Sequence, residues 1–246
     1  MAQAPEGGLT AMMRSVLAVG AHPDDIELGC GGALAAHRAA GDKVTMLVVT
    51  GGQNGPGLVT ERRAESEAAA RSLDCLLIWG HLLDCAVHPD SGTIGLIEDA
   101  IRQTEADVVY VHAPDDSHQD HRAVAAATIS AARHTRRVLH YRSPSTTRFE
   151  PSLYVDISAH LDRKLAALAC HRSQVESSLM VEPEVVAASA RHFGAQARVR
   201  FAEAFVPSRF VWDLSPPPQL PLVGAEAPAF EEAPAFETAY PSRAVT

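Results

Sequence analysis

Blocks of apolar residues recur along the first 141 positions, separated by glycine-rich or acidic junctions. Residues 16–19 form an unbroken apolar run, the pattern of a strand buried on both faces. Residues 28–40 are mostly small or apolar and close on Gly41, which predicts a helix with a glycine stop. A second apolar run at 44–49 predicts the next strand. Gly51, Gly52, Gly55 and Gly57 then crowd one short segment, which predicts a loop. Thr60 can cap a helix running to about Ser72, with Arg63 and Glu67 one turn apart on its surface. Residues 75–79 predict a short third strand. Ser91 or Thr93 can cap a helix on which Ile94, Ile97 and Ile101 share a face. Residues 108–111, 118–133 and 138–141 read as strand, helix and strand. Beyond them the rhythm weakens: 153–157 reads as a strand, 159–171 and 183–197 as helices, and 201–205 as a last strand.

Strands alternating with helices predict an α/β fold. The expected architecture is a Rossmann-like, doubly wound, mostly parallel sheet with helices on both faces. The 246 residues, 46% of them apolar, suffice for one such domain. Its expected span is 14–210, after a flexible N-terminus at 1–13. Residues 211–246 read as a Pro-rich, extended or disordered tail, in which Ala227-Pro228-Ala229-Phe230-Glu231 recurs as Ala233-Pro234-Ala235-Phe236-Glu237.

A formal charge of −9 argues against nucleic acid or an anionic membrane as the main partner. Cys30, Cys75, Cys85 and Cys170 are widely spread and form no Cys-x-x-Cys pair, so they read as reduced, mostly buried thiols. No signal-peptide core or membrane-length apolar stretch is evident. A soluble, cytoplasmic protein is expected, with a homo-oligomer left open.

Two acidic, histidine-bearing junctions carry the candidate chemistry. Gly20-Ala21-His22-Pro23-Asp24-Asp25 follows the first strand, and Asp115-Asp116-Ser117-His118-Gln119-Asp120-His121 follows the fourth. In a doubly wound sheet the first and fourth strands are often neighbours at the point where chain order reverses. The two junctions would then face each other. His22 and Asp25 offer a nitrogen and an oxygen to one metal, and catalytic zinc typically takes three protein ligands plus water. His121 is the best third ligand. Asp24 can take a proton from the attacking water. His118, if protonated, can stabilise an oxyanion, and Asp120 can hold that imidazolium or orient a neighbouring ring. His112 reads as a packed or supporting histidine. His37, His134, His140, His160, His171 and His192 show no acidic partner pattern and read as structural.

At these residues the chain resembles the LmbE/PIG-L family of zinc-dependent N-acetylglucosamine deacetylases. Ala21 to Asp25 matches the family's Ala/Gly-His-Pro-Asp-Asp motif, and His118-Gln119-Asp120-His121 resembles its His-Pro-Asp-His. Thr50-Gly51-Gly52-Gln53-Asn54-Gly55 is similar to the family's loop after the second strand. The resemblance implies one Zn2+ held by His22, Asp25 and His121. It implies Asp24 as general base, His118 as stabiliser of the tetrahedral intermediate, and Asp120 as the carboxylate supporting His118. It further implies Arg63 as a substrate contact, and Asp84 is a candidate for facing the sugar. Asp116 is a further candidate substrate contact, and it stands where some mycothiol-pathway relatives carry tyrosine, which disfavours that substrate.

The reaction expected is removal of an N-acyl group, foremost acetyl, from an amino sugar or an amino-sugar-containing metabolite. An amidase of a mycothiol-type conjugate would use the same site. Two histidines and a carboxylate also form the facial triad of non-haem Fe(II) oxygenases, so Zn versus Fe stays open. A non-catalytic metal- or sugar-binding protein is the remaining alternative.

Overall fold

The computed structural model describes residues 13–213. The tail repeat and nearly all of residues 1–13 lie outside this range. The strands are β1 (Ser15–Gly20), β2 (Lys43–Thr50), β3 (Leu76–Leu82), β4 (Val108–His112), β5 (Arg137–Tyr141), β6 (Leu153–Asp156) and β7 (Ala202–Phe210). The helices are α1 (Asp25–Ala39), α2 (Val59–Leu73), α3 (Ser91–Thr104), α4 (Gln119–Ala131), α5 (Leu161–Leu168), α6 (Arg172–Val175) and α7 (Pro183–Ala197), with a 3-10 turn at Leu179–Val181.

All seven strands join one sheet in the order β3-β2-β1-β4-β5-β7-β6. From β3 to β5 the pairing is parallel, and β7 runs antiparallel to both β5 and β6. The fold is therefore the mostly parallel, doubly wound α/β sheet. β1 lies between β2 and β4, so Val16 pairs with both Val44 and Val108. Chain order reverses there, and the loops after β1 and β4 open a crevice.

The unbroken apolar runs follow from burial on both faces. Val16, Ala18, Met46 and Tyr110 pack against α1, α2 and α5 on one side. Leu17, Val19, Leu47 and Val109 pack against α3 and α4 on the other. Each large side chain so buried contributes about 1.5–3 kcal/mol of transfer free energy. α1 lies close on the sheet because Gly29 has no side chain: a Cβ there would stand 2.1 Å from the Tyr141 ring. The Tyr141 hydroxyl in turn donates to the Val19 carbonyl at 2.8 Å, at the end of β1.

The far edge also braces α1. Glu203, on β7, accepts the backbone N–H of Gly32 at 2.9 Å and of Ala33 at 2.7 Å. The Lys164 ammonium pairs with Glu203 and donates to the Leu28 carbonyl at 2.6 Å. That carbonyl is the one Gly32 would engage in a regular helix. A buried ion pair thus holds the middle of the helix whose first residue is Asp25.

Several boundaries differ from expectation for local reasons. Asp90 caps α3 by accepting from the N–H groups of Gly92 and Thr93, in place of Ser91 or Thr93. α2 starts at Val59, where the Glu61 carboxylate accepts the Leu58 N–H at 3.0 Å, so Thr60 lies inside the helix. The helix expected over 159–171 stops at Leu168, and His171 precedes the short α6. β7 runs to Phe210, past the expected end at 205. Cys85 is exposed, contrary to the reading of mostly buried thiols. Among the described residues, no helix is long and apolar enough to cross a membrane.

Candidate metal centre and active site

β1 ends at Gly20 and α1 begins at Asp25, so the intervening turn carries His22, Pro23 and Asp24 across the crevice. β4 ends at His112, and His118 caps α4, placing His121 one turn in. His22 Nδ1 lies 3.3 Å from Asp25 Oδ2, His121 Nε2 lies 3.3 Å from Asp25 Oδ1, and the two ring nitrogens are 3.3 Å apart. Bonds of about 2 Å to a tetrahedral ion separate its ligand atoms by roughly 3.3 Å. All three residues are buried.

Among the described residues, three overlapping groups of side chains here could hold an ion: His22, His118 and His121; Asp25, His112 and His121; and His22, Asp84 and Asp120, so His112 and His118 also have nitrogens close to this centre. Both are committed elsewhere. His112 Nε2 accepts the Ala21 N–H at 3.1 Å, and its ring stacks on His121 with centroids 3.9 Å apart. Burial, then the charge of His121, lowers its pKa to about 4, so it is neutral. His118 Nδ1 accepts the Asp120 N–H at 3.2 Å, which leaves the ring proton on Nε2. Burial, then His22 and His121, lowers the His118 pKa. His118 is thus a donor in its neutral form and needs no extra proton for that role.

Each histidine of the trio has a carboxylate on its other nitrogen. His22 Nε2 lies 3.1 Å from Asp84 Oδ1 and 3.2 Å from Asp120 Oδ2. His121 Nδ1 lies 3.2 Å from Asp116 Oδ2, which also accepts from the Ser143 and Thr146 hydroxyls. Metal-binding histidines are typically held this way, by a carboxylate that fixes the ring and raises its basicity. Burial pulls the His22 pKa down, but hydrogen bonds to Asp120, Asp25 and Asp84 outweigh it and push the value up to about 12. Burial likewise opposes His121, yet Asp25 and Asp116 raise it to about 9. An environment that holds two imidazolium charges in one buried cluster has the charge balance for a divalent cation. The donor set fits a metal.

Asp120 departs from its expected place. Its carboxylate accepts from the Cys85 and Val87 N–H groups and meets His22, so it braces His22 rather than His118. Asp84 and Asp116, expected to face substrate, each hold an imidazole. Asp84 still lines the cleft with His118, Asn54 and Cys85, and its Oδ2 accepts the Asn54 N–H at 2.7 Å. Asp116 is 4% exposed.

Arg63 lies outside the site, with its guanidinium 5.0 Å from the Trp79 ring centroid. Its neighbour Arg62 is the buried one. Arg62 donates to the Gly52 carbonyl at 2.6 Å and the Pro23 carbonyl at 3.2 Å, and it lines the cleft. Gly52 and Gly55 make room for it: a Cβ on either would stand 2.2 or 2.1 Å from its Nη1. Helical phase could have found Arg62, since it continues the buried stripe of Ser66, Ala69 and Leu73.

Asp24 has φ 99°, a left-handed conformation that costs an aspartate about 1–3 kcal/mol. Its carboxylate faces the cleft, and among the described residues no hydrogen bond or ion pair ends on it. Burial, then the charge of Asp25, pushes its pKa up to about 7 against His171 and Arg62. His171, read as structural, is fully buried behind α1 with Nε2 2.9 Å from Glu27 Oε1.

Residues 17–132 match the family described as PIG-L, GlcNAc-PI de-N-acetylase. The uncharacterized deacetylase YaiS of Escherichia coli strain K12 is 37% identical over 169 residues, which cover 65% of this chain and 91% of YaiS. The chain belongs to the PIG-L family. The solved structure of the conserved protein TT1542 from Thermus thermophilus superposes with a TM-score of 0.75 at 29% identity, covering 82% of this chain and 98% of TT1542. N,N'-diacetylchitobiose deacetylase from Pyrococcus horikoshii, solved with its inhibitor MPG, shares the PIG-L fold, with a TM-score of 0.71 at 22% identity over 82% of this chain and 86% of its own. With a deacetylase among its PIG-L relatives, this chain is assigned as a hydrolase.

Proposed function

We propose that the protein is a zinc-dependent N-deacylase acting on an N-acylated amino sugar or a metabolite containing one. One observation carries the reading: His22 Nδ1 and His121 Nε2 stand 3.3 Å apart, each 3.3 Å from one oxygen of the Asp25 carboxylate, beside the Asp24 carboxylate, on which no hydrogen bond or ion pair ends among the described residues. His22, Asp25 and His121 would hold the ion. When bound, it supplies Lewis acidity, polarising the amide carbonyl and acidifying water.

The chain's own groups do the rest. Asp24 accepts a proton from water as the water oxygen bonds to the acyl carbon. His118 donates its Nε2–H to the oxygen of the tetrahedral intermediate. The C–N bond then breaks, the proton held by Asp24 passes to the leaving nitrogen, and amine and carboxylate depart. Asn54, Asp84 and Gln174 offer the cleft polar groups suited to sugar hydroxyls. Small N-acylated substrates are the expected partners. The facial-triad alternative predicts oxygen consumption, and the binding-protein alternative predicts metal uptake without amine release.

The test is Asp24→Ala with metal content measured beside turnover of N-acetylated glycosides. The variant should retain one ion per chain and lose about 10²–10⁴-fold in kcat. An Asp24→Ala enzyme of unchanged kcat would remove the base assignment. Metal-free protein that releases amine at the full rate would remove the metal.

A further inference from the structure

The polar cleft that holds His22, Asp24 and His118 takes one lining residue from the last third of the chain, Gln174 of α6. A single helical turn is not stable alone, and this one is pinned by three neighbours. His171, which precedes α6, has Nε2 2.9 Å from Glu27 Oε1 of α1. Ser173 donates its backbone N–H and its hydroxyl to the two Glu65 oxygens of α2, at 2.9 and 2.6 Å. The Gln174 side chain donates to the Pro56 carbonyl at 3.0 Å. Gly57 lets α6 sit against the glycine-rich loop: its φ is 84°, and a Cβ there would stand 2.8 Å from Ser173 Cβ.

These contacts decide which end of the Gln174 amide stays free. A carbonyl only accepts, so the group that meets Pro56 is the NH2. Its Nε2 also lies 3.1 Å from Ser173 Oγ, whose own proton goes to Glu65. Both amide donors are thus spent. Among the described residues, no hydrogen bond ends on Gln174 Oε1. Asn54 repeats the arrangement in the same cleft. Its Nδ2 donates to the Asp84 carbonyl at 3.0 Å, and no hydrogen bond among the described residues ends on its Oδ1.

An amide whose donors are committed is a pure acceptor, and it recognises O–H or N–H groups. We propose that Gln174 is a specificity-determining residue, which accepts through Oε1 a hydroxyl hydrogen from the sugar half of the substrate. Asn54 Oδ1 is a second acceptor for that half. Ser173 and Glu65 are positioning residues, since they turn the amide and hold α6 against the loop. Gln174 lies outside residues 17–132, the part of the chain that matches the PIG-L family. The inference rests on the deacylase reading.

The experiment measures amine release from N-acetylglucosamine and from its 1-, 3-, 4- and 6-deoxy forms, in the wild type, Gln174→Met and Ser173→Ala. Gln174→Met keeps the length of the side chain and removes the acceptor. In the wild type, at least one deoxy form should lose about 3–10-fold in kcat/KM, the value of one neutral hydrogen bond. Gln174→Met should raise KM for N-acetylglucosamine by the same factor, lower kcat less, and retain its metal. The penalty on that deoxy form should vanish in the variant, because the bond is already gone. Ser173→Ala should show the same pattern in smaller measure, and it answers the question if Gln174→Met does not fold. An unchanged KM in Gln174→Met would overturn the proposal. So would a deoxy penalty that persists at full size in both variants, which would leave Gln174 a purely structural role. Equal turnover of all five compounds by the wild type removes this inference alone. No amine release from any compound removes the deacylase reading itself.

Discussion

Asp116, in the loop before α4, and His121, in its first turn, are five residues apart, and the carboxylate Oδ2 of the first lies 3.2 Å from Nδ1 of the second. Ser143 and Thr146 donate to the same oxygen from the loop after β5. The imidazole is thus aimed before any ion arrives. Removing such a supporting carboxylate typically weakens metal binding 10–100-fold. Asp116→Asn is expected to show that loss in a chelator competition, with the fold intact by circular dichroism. Unchanged affinity would mean that helix geometry alone aims the ring.

Adjacent arginines should behave in opposite ways. Arg62→Met leaves the Gly52 and Pro23 carbonyls without their donor and removes the clamp just before Asp24. We expect kcat to fall about 100-fold, since small misplacements of a catalytic group cost that much. Arg63→Ala should cost at most about 1 kcal/mol of stability, the value of an exposed cation–π contact, and leave kcat within a few-fold. Side-by-side kinetics of the two variants settle it, and the reverse order would refute the placement.

Activity should carry an acid limb set by Asp24. Burial and the Asp25 charge raise its pKa to about 7, so the carboxylate, the basic form, is lost as pH falls through that value. A cation bound beside Asp25 opposes the rise. The ascending limb of kcat/KM is therefore expected with unit slope and a midpoint at or below about 7. A profile flat from pH 4 to 8 would speak against a titrating base there.

Stability should depend on pH through His171. Burial lowers its pKa, but the Glu27 carboxylate more than compensates, so the folded value is raised. A raised histidine contributes fully below its unfolded pKa of about 6.5, and the contribution is lost as pH rises through the folded value. Breaking a buried pair from one side costs about 3–5 kcal/mol. Urea midpoints of the wild type should fall above pH 6.5. His171→Gln should be less stable at pH 6 and flatter above it. A variant with the wild-type midpoint at both pH values would exclude the pair as a contributor.

The sequence displays the metal ligands because they sit where unbroken apolar runs stop. Val19 and Val111 mark the ends of β1 and β4, and parallel neighbours must place those ends together. Orientation is harder to read. Asp84 and Asp116 read as substrate groups, yet their aim depends on loops folding back on His22 and His121. The Asp116 side chain is fixed partly by Thr146, 30 residues away. Local resemblance points to Arg63 over Arg62 because it ignores which face of α2 is buried. The helix expected over 159–171 is too long because His171 answers to Glu27, 144 positions earlier. Long-range pairing of this kind leaves no local periodicity.

The brace on α1 also orders events in time. Every candidate ligand lies before residue 122, yet the carboxylate that engages Gly32 and Ala33 comes from Glu203. A growing chain therefore carries the full ligand set through about 80 further residues, several seconds of synthesis at roughly 5–20 residues per second, before the helix bearing Asp25 gains its last support. The first part of the centre to be made is held firm by one of the last strands to arrive.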